Sequence, residues 1–492
     1  MSLAPSHGPA VLTTRAGVLR GQVDAGAGLA RFRGVPYAAA PTGELRFREP
    51  VRHPGWEGER AAIEFGATPL LPPDSETSSI PEPTTPGEEI LNLNITAPLD
   101  AAGPLPVYVW IHGGGYLSGT PNGGWFDGAS MARTGVVVVS ITYRLGIEGF
   151  GHIPGAPDNR GVLDCIAALR WVAEEIAGVG GDPDRVTVGG QSAGGGLVLA
   201  LLASPAARGL FRGAVIHSAP LPDIDPDDAG RLGARLSREH GVANTLAGWQ
   251  GLSREQLAVI DRQLDTYGPW SSLGHLHRAL SRTGQLTQVG PIVGTDLIPD
   301  PLPALAASDD RPVMIGSTSH EFNLSTAPLE QLLGRTTPTP VLGAAGLAAP
   351  LARAYPRAYP GLTAAALLGQ ALSDRVFRMT VLQVAGARER AGAPVAVWDF
   401  RWHPTDGPAR HCIDLPFAWD ALDGVRVDRI AGERPPAALA TEMSGDIATF
   451  VRSAVVPWQP FTNDAPVAKV YDETPWLGRD PYRFERLGLE VI

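Results

Sequence analysis

A large, mostly parallel α/β sheet with helices on both faces is the fold class this sequence predicts, and two patterns predict it. Near-continuous β-branched runs at residues 107–111 and 136–143 read as strands buried on both faces. Longer stretches that follow them carry apolar residues at steps of three and four, the spacing of one helical face. Strand–helix alternation of this kind requires crossover connections, which cover a parallel sheet with helices. Sheets so built place their chemistry in loops at the carboxyl ends of the strands.

The elements follow in order. Val162, Ile166, Leu169, Val172 and Ile176 share one face of a helix over 159–177, with Gly178 as its stop signal. A strand at 185–189, a helix at 194–203 and a strand at 213–217 come next, and later strands are expected at 312–315 and 394–400. Residues 67–87, rich in proline, serine and threonine, read as a loop insert. Residues 223–288 read as short helices and turns forming a cap over the strand ends. No linker interrupts the pattern, so residues 1–492 are expected to form a single catalytic domain.

Bulk composition narrows the function classes. The 492 residues are 44% hydrophobic and 18% charged, as for a soluble globular protein with a sizeable core. A net charge of -11 without any Lys/Arg cluster argues against nucleic acid or an anionic membrane as partner. Residues 1–9 lack a signal pattern, and no stretch approaches the roughly 18 apolar residues of a membrane span. Cys165 and Cys412 are too few for a disulfide framework or a thiolate metal site. The expectation is a cytoplasmic protein with two reduced thiols and neither metal nor organic cofactor.

Two glycine-rich motifs carry the chemistry. Gly190-Gln191-Ser192-Ala193-Gly194 lies between an expected strand and an expected helix. A nucleophile there projects from a strained turn, and a Cβ two positions before or after would clash across it. The serine then stands at a helix N-terminus, where amides and the helix dipole favour negative charge. The pentapeptide alone is a weak signal in a chain with 59 glycines; its flanking strand and helix strengthen it. Upstream, His112-Gly113-Gly114-Gly115-Tyr116 follows a buried strand directly. Glycines let backbone N–H groups turn toward a ligand, and Gly114, Gly115 and Ala193 are the expected donors to a developing oxyanion.

Further segments make the resemblance specific: 32–38 (FRGVPYA), 41–47 (PTGELRF), 88–94 (EEILNLN), 143–146 (YRLG) with Gly149 and Phe150, 161–164 (GVLD) and 180–183 (GGDP). Together with the nucleophile turn they resemble the type-B carboxylesterase and cholinesterase family, its bacterial members above all, nearly end to end. The resemblance implies an α/β-hydrolase fold. It also implies a histidine at the start of a segment ending in Pro-Phe, which His411 opens here, and an acid just after a strand, which Glu321 supplies in 316–322 (GSTSHEF). His320 departs from the acid usual before that glutamate. Asp296 and Asp300 stay open as alternatives for the acid, and His403 for the base. The order Ser192, Glu321, His411 is that of α/β hydrolases. By the same resemblance, Arg46 is expected to pair with Glu88 and Arg144 with Asp164. Ile90 stands where secreted relatives carry a disulfide cysteine, in keeping with a reducing compartment.

What the resemblance implies chemically is a serine esterase acting on small to medium carboxylic esters through an acyl-enzyme. An ordinary histidine pKa predicts activity falling below about pH 6.5. Tyr116, Trp125 and Phe126 are expected either to line an acyl or alcohol pocket or to pack in the core. The competing readings are a non-catalytic binding module on the same fold and a hydrolase of thioesters, lactones or carbamates.

Overall fold

The computed structural model describes residues 9–70, 80–264, 273–280, 287–307 and 310–490. Thirteen strands form one sheet among these residues. They are β1 (Ala10–Thr14), β2 (Gly17–Asp24), β3 (Leu29–Pro36), β4 (Glu59–Ala61), β5 (Asn92–Pro98), β6 (Leu105–Ile111), β7 (Val137–Ile141), β8 (Gly181–Gln191), β9 (Gly213–His217), β10 (Val313–Thr318), β11 (Val395–Phe400), β12 (Val467–Tyr471) and β13 (Trp476–Arg479). Their order is β1-β2-β3-β5-β7-β6-β8-β9-β10-β11-β12-β13, with β4 beside β2. From β7 to β12 every neighbouring pair is parallel; the flanking pairs are antiparallel, except that β4 runs parallel to β2.

Side-chain alternation puts two cores on the two faces. Along β6, Val107, Val109 and Ile111 join one core, packed under the helices Arg160–Glu175 and Ala193–Ala203. Tyr108 and Trp110 join the other, with Trp398, Trp419 and residues of the helix Ala437–Ser453. A period of two along each strand produces this division without further instruction.

The expected stop at Gly178 is displaced. The helix ends at Glu175, a 3₁₀ turn covers Ile176–Val179, and Gly180 at φ 80 makes the left-handed cap. Gly178 serves close packing instead, since a Cβ there would stand 2.5 Å from Leu12 Cδ1. The expected cap contains helices Pro226–Glu239, Leu246–Gln250, Arg254–Leu264 and Leu273–Leu280; its residues 265–272 and 281–286 lie outside the described set. Residues 67–70 and 80–87 of the expected loop insert carry neither helix nor strand, and 71–79 are outside the described set.

Of the two expected braces, Arg144 and Asp164 meet as a buried bidentate pair, with Nη2–Oδ1 at 2.7 Å and Nε–Oδ2 at 2.9 Å. Arg46 does not meet Glu88. Its Nε lies 2.7 Å from Glu148 Oε1, and a second guanidinium nitrogen donates to the Leu252 carbonyl in the cap. Glu88 points to solvent, whereas the adjacent Glu89 turns inward to His53 and Arg60.

Candidate active site

Strands β6 and β8 are neighbours, in a register that pairs Ile111 with Gly190. The glycine loop that leaves β6 and the serine that ends β8 therefore emerge side by side. The chain order of the sheet reverses here, which is where open α/β sheets form their ligand crevice. Ser192 sits at φ 56, ψ -125, a conformation that costs of order 1–3 kcal/mol for a residue with a Cβ. Its own N–H donates to the His217 carbonyl on β9 at 2.9 Å, which fixes the turn to the sheet.

The two flanking glycines are required for different reasons. A Cβ on Gly190 would stand 2.5 Å from the Gly194 carbonyl across the turn, as the motif predicts. A Cβ on Gly194 would instead strike the carbonyl oxygens of Ile111 and His112, so this glycine lets the helix press against the end of β6. Gly195 and Gly196 extend the close approach, toward Ala219 and the Tyr116 hydroxyl. Three glycines weaken a helix start by roughly 0.5–1 kcal/mol each, and only tight burial explains their use. The helix Ala193–Ala203 is buried on every side.

Gly114 (φ 115) and Gly115 (φ 62) take backbone conformations open mainly to glycine. The N–H groups of Gly114, Gly115 and Ala193 donate to no acceptor among the described residues. Gly113 lies against the Ser192 turn, a Cβ there standing 3.1 Å from Ser192 Cβ. His112 anchors the loop. Its ring stacks on Tyr143 at 4.5 Å, its Nδ1 lies 2.8 Å from the Gly113 carbonyl oxygen, and burial lowers its pKa to about 4.

Glu321 follows β10, and His411 lies in the loop beyond β11. Backbone bonds stitch the two loops together: His411 N–H to the Glu321 carbonyl at 2.9 Å, and His320 N–H to the Ala409 carbonyl at 3.1 Å. His411 Nε2 is 2.9 Å from Ser192 Oγ, and His411 Nδ1 is bonded to Glu321 Oε2. Glu321 Oε1 accepts from Thr318 N–H at 2.8 Å, so both carboxylate oxygens are engaged. The Phe322 and Phe377 rings cover the imidazole, with centroids at 5.0 and 4.8 Å. Burial pushes the His411 pKa down, but Cys412 and Glu321 outweigh it and hold it well above 6.5. This moves the expected pH dependence upward.

The alternative residues lie at the surface: Asp296, Asp300 and His403 are exposed. His320 is neutral near pH 7, because burial and the nearby Arg378 bring its pKa to about 4. Trp125 and Phe126 belong to the second core beside Trp110 and Trp419, and Tyr116 packs against Phe150; these are packing contacts.

Three features were missed in the sequence. Gln191 Nε2 lies 3.1 Å from His411 Nε2 and 3.1 Å from Cys412 Sγ. His217 Nδ1 and Asp414 Oδ2 form a buried contact of 2.7 Å, joining β9, whose His217 carbonyl accepts from the Ser192 N–H, to the loop that holds His411. Arg378 bonds the Thr318 carbonyl at 3.1 Å and Asp399 at 2.7 Å, bracing the end of β10 where Glu321 begins. Asp414 was within the histidine segment, three residues from His411; the other contacts carry no local signal.

Comparison with known proteins gives the family. A family model described as "Carboxylesterase family" matches residues 8–333. Para-nitrobenzyl esterase of Bacillus subtilis is 32% identical over 442 residues, covering 84% of each chain. Phenmedipham hydrolase of Pseudarthrobacter oxydans is 31% identical over 97% of this chain and 98% of its own. Among solved structures, a carboxylesterase of Geobacillus stearothermophilus superposes with a TM-score of 0.81 at 31% identity, over 97% of this chain and 99% of that one. The chain has the α/β-hydrolase fold, belongs to the carboxylesterase family and is a serine hydrolase of carboxylic esters.

Proposed function

We propose that Ser192 is the nucleophile, His411 the general base and Glu321 the residue that orients the base, with the amides of Gly114, Gly115 and Ala193 as the oxyanion hole. The observation that carries this reading is the continuous line from Glu321 Oε2 through the His411 ring to Ser192 Oγ, closed at 2.9 Å. Glu321 accepts a hydrogen bond from Nδ1–H, which keeps the ring proton on Nδ1 and leaves a bare lone pair on Nε2, facing the serine. Ser192 attacks the ester carbonyl while Nε2 takes its proton. The oxygen of the tetrahedral intermediate is stabilised by the three amides, which already stand free. Nε2 returns the proton to the departing alcohol, and an acyl-serine remains. Water repeats the cycle in reverse roles and releases the acid.

The substrates of this reading are small to medium carboxylic esters, held by a single catalytic domain whose helical segments in 223–288 cap the strand ends. A cytoplasmic setting is supported by two cysteines that form no disulfide. Among the described residues no helix is long and apolar enough to cross a membrane.

The test is Ser192→Ala assayed with para-nitrophenyl acetate and butyrate. Turnover is expected to fall by at least about a thousandfold with the fold intact. Activity within tenfold of wild type rejects this serine as nucleophile, and so does fluorophosphonate labelling at any other residue.

A further inference from the structure

Gln191 closes β8 immediately before Ser192 and is buried, yet the proton path above makes no use of it. Its amide nitrogen stands 3.1 Å from both His411 Nε2 and Cys412 Sγ. Its amide oxygen packs toward Gly113, where a Cβ would come within 2.8 Å of it. Cys412 is held at φ 71, in the left-handed region, and in that conformation its sulfur reaches the glutamine amide.

Consider what Nε2 needs through one turnover. In the active form, above the raised pKa, the ring is neutral with its proton on Nδ1 toward Glu321, so Nε2 offers one lone pair. Two donors converge on it, the Ser192 hydroxyl at 2.9 Å and the Gln191 amide at 3.1 Å. Once Ser192 has given up its proton, Nε2 carries a hydrogen and needs an acceptor; an N–H facing it would repel. A primary amide turned half-way about its last bond presents oxygen in place of nitrogen with almost the same shape. A thiol has the same double capacity. Its sulfur accepts from the amide N–H in one orientation, and its S–H donates to the amide oxygen in the other.

We infer that Gln191 and Cys412 are positioning residues for His411, which keep a hydrogen-bond partner on Nε2 in both protonation states and hold the ring in aim while Ser192 is tied up as the acyl-enzyme. This rests on the proposed triad. The titratable and charged neighbours are these. Glu321 faces Nδ1, Cys412 lies beside the ring, and Arg410 acts on Cys412 while its own guanidinium donates to the Arg429 carbonyl. The Phe322 and Phe377 rings lie against the imidazole. A charge introduced at position 191, whose amide stands 3.1 Å from Nε2, therefore acts on the ring at close range.

The experiment measures kcat and KM against pH from 5.5 to 9 with para-nitrophenyl butyrate, for wild type, Gln191→Glu, Gln191→Met, Cys412→Ala and Cys412→Ser. A carboxylate at 191 favours the protonated ring, so Gln191→Glu is expected to raise the acid limb by about one pH unit or more. Gln191→Met keeps the length and removes the hydrogen bonds; kcat is expected to drop about tenfold or more with KM within about threefold. Cys412→Ala is expected to lower kcat several-fold, and Cys412→Ser, which restores a donor and acceptor, to stay within about threefold of wild type. Wild-type kcat in Gln191→Met overturns the inference, whatever the limb does. If that variant does not fold, equal activity of Cys412→Ala and wild type overturns it. Fluorophosphonate labelling of Ser192 in each variant keeps the triad separate: loss of labelling at Ser192 in wild type sinks the triad itself.

Discussion

Replacing Glu321 by glutamine probes the proposed triad at its most buried member. Both oxygens of the carboxylate are committed, Oε1 to the Thr318 N–H at 2.8 Å and Oε2 to His411 Nδ1. The substitution keeps size and shape but makes one of the two ends a donor. The Thr318 N–H can only donate, so the amide oxygen belongs on that side and the NH₂ group faces His411 Nδ1. Nδ1 must then be bare, and the ring proton moves to Nε2, where it points at Ser192 and blocks the base. The opposite amide orientation restores the tautomer but sets two N–H donors against each other in a buried site, at about 1–3 kcal/mol. The variant also loses the negative charge that stabilises the imidazolium.

The two effects together are expected to lower kcat by about three to four orders of magnitude, or about 4–5.5 kcal/mol at about 1.36 kcal/mol per decade. KM is expected to stay within about threefold, because Glu321 touches no part of the substrate in this scheme. The assay is para-nitrophenyl butyrate hydrolysis at pH 6 to 9, with circular dichroism to verify the fold. A folded variant within tenfold of wild type across that range would refute the assignment of the acid.

Further expectations follow from the same geometry. His411 must be neutral to act, and its neighbours hold its pKa above 6.5, so kcat/KM is complete above the raised pKa and falls as pH drops through it; a flat profile from pH 8 to pH 5 contradicts this role. Gly190→Ala places a Cβ 2.5 Å from the Gly194 carbonyl, and a loss of at least about 1–3 kcal/mol in urea unfolding is expected, together with loss of activity; a fully active variant of wild-type stability would show that the turn tolerates a side chain. His217→Ala removes the partner of the buried Asp414 and is expected to cost about 2–3 kcal/mol of stability, whereas Asp414→Asn, which keeps a hydrogen bond, costs less; equal stabilities would mean that the pair does not brace the loop.

The centre of the fold was legible because its strands are buried on both faces. The runs at 107–111 and 136–143 had no other plausible state, and the glycines around Ser192 have uses that follow from stereochemistry alone. The margins were not legible. Strands β1 and β2 alternate buried and exposed residues over short lengths, and β12 and β13 gain their definition from pairing with strands distant in the chain. The Arg46 pairing failed because two adjacent glutamates, Glu88 and Glu89, face opposite ways, and a third, Glu148, reaches Arg46 from another element. Glu321 and His411 depended on resemblance, since no local rule separates one histidine from ten others. The contacts of Gln191, His217 and Arg378 arise from long-range packing, to which local periodicity is blind.

The helix that follows Ser192 has no face turned to solvent and carries in its first turn three glycines wedged against the end of β6, Ala219 and the Tyr116 hydroxyl. Its position is consequently set by the interior as a whole, and little of the reacting geometry can be altered piecemeal without disturbing that interior. Divergence toward new esters is channelled into the connections above the strand ends, where side chains can change without unseating the groups that make and break bonds.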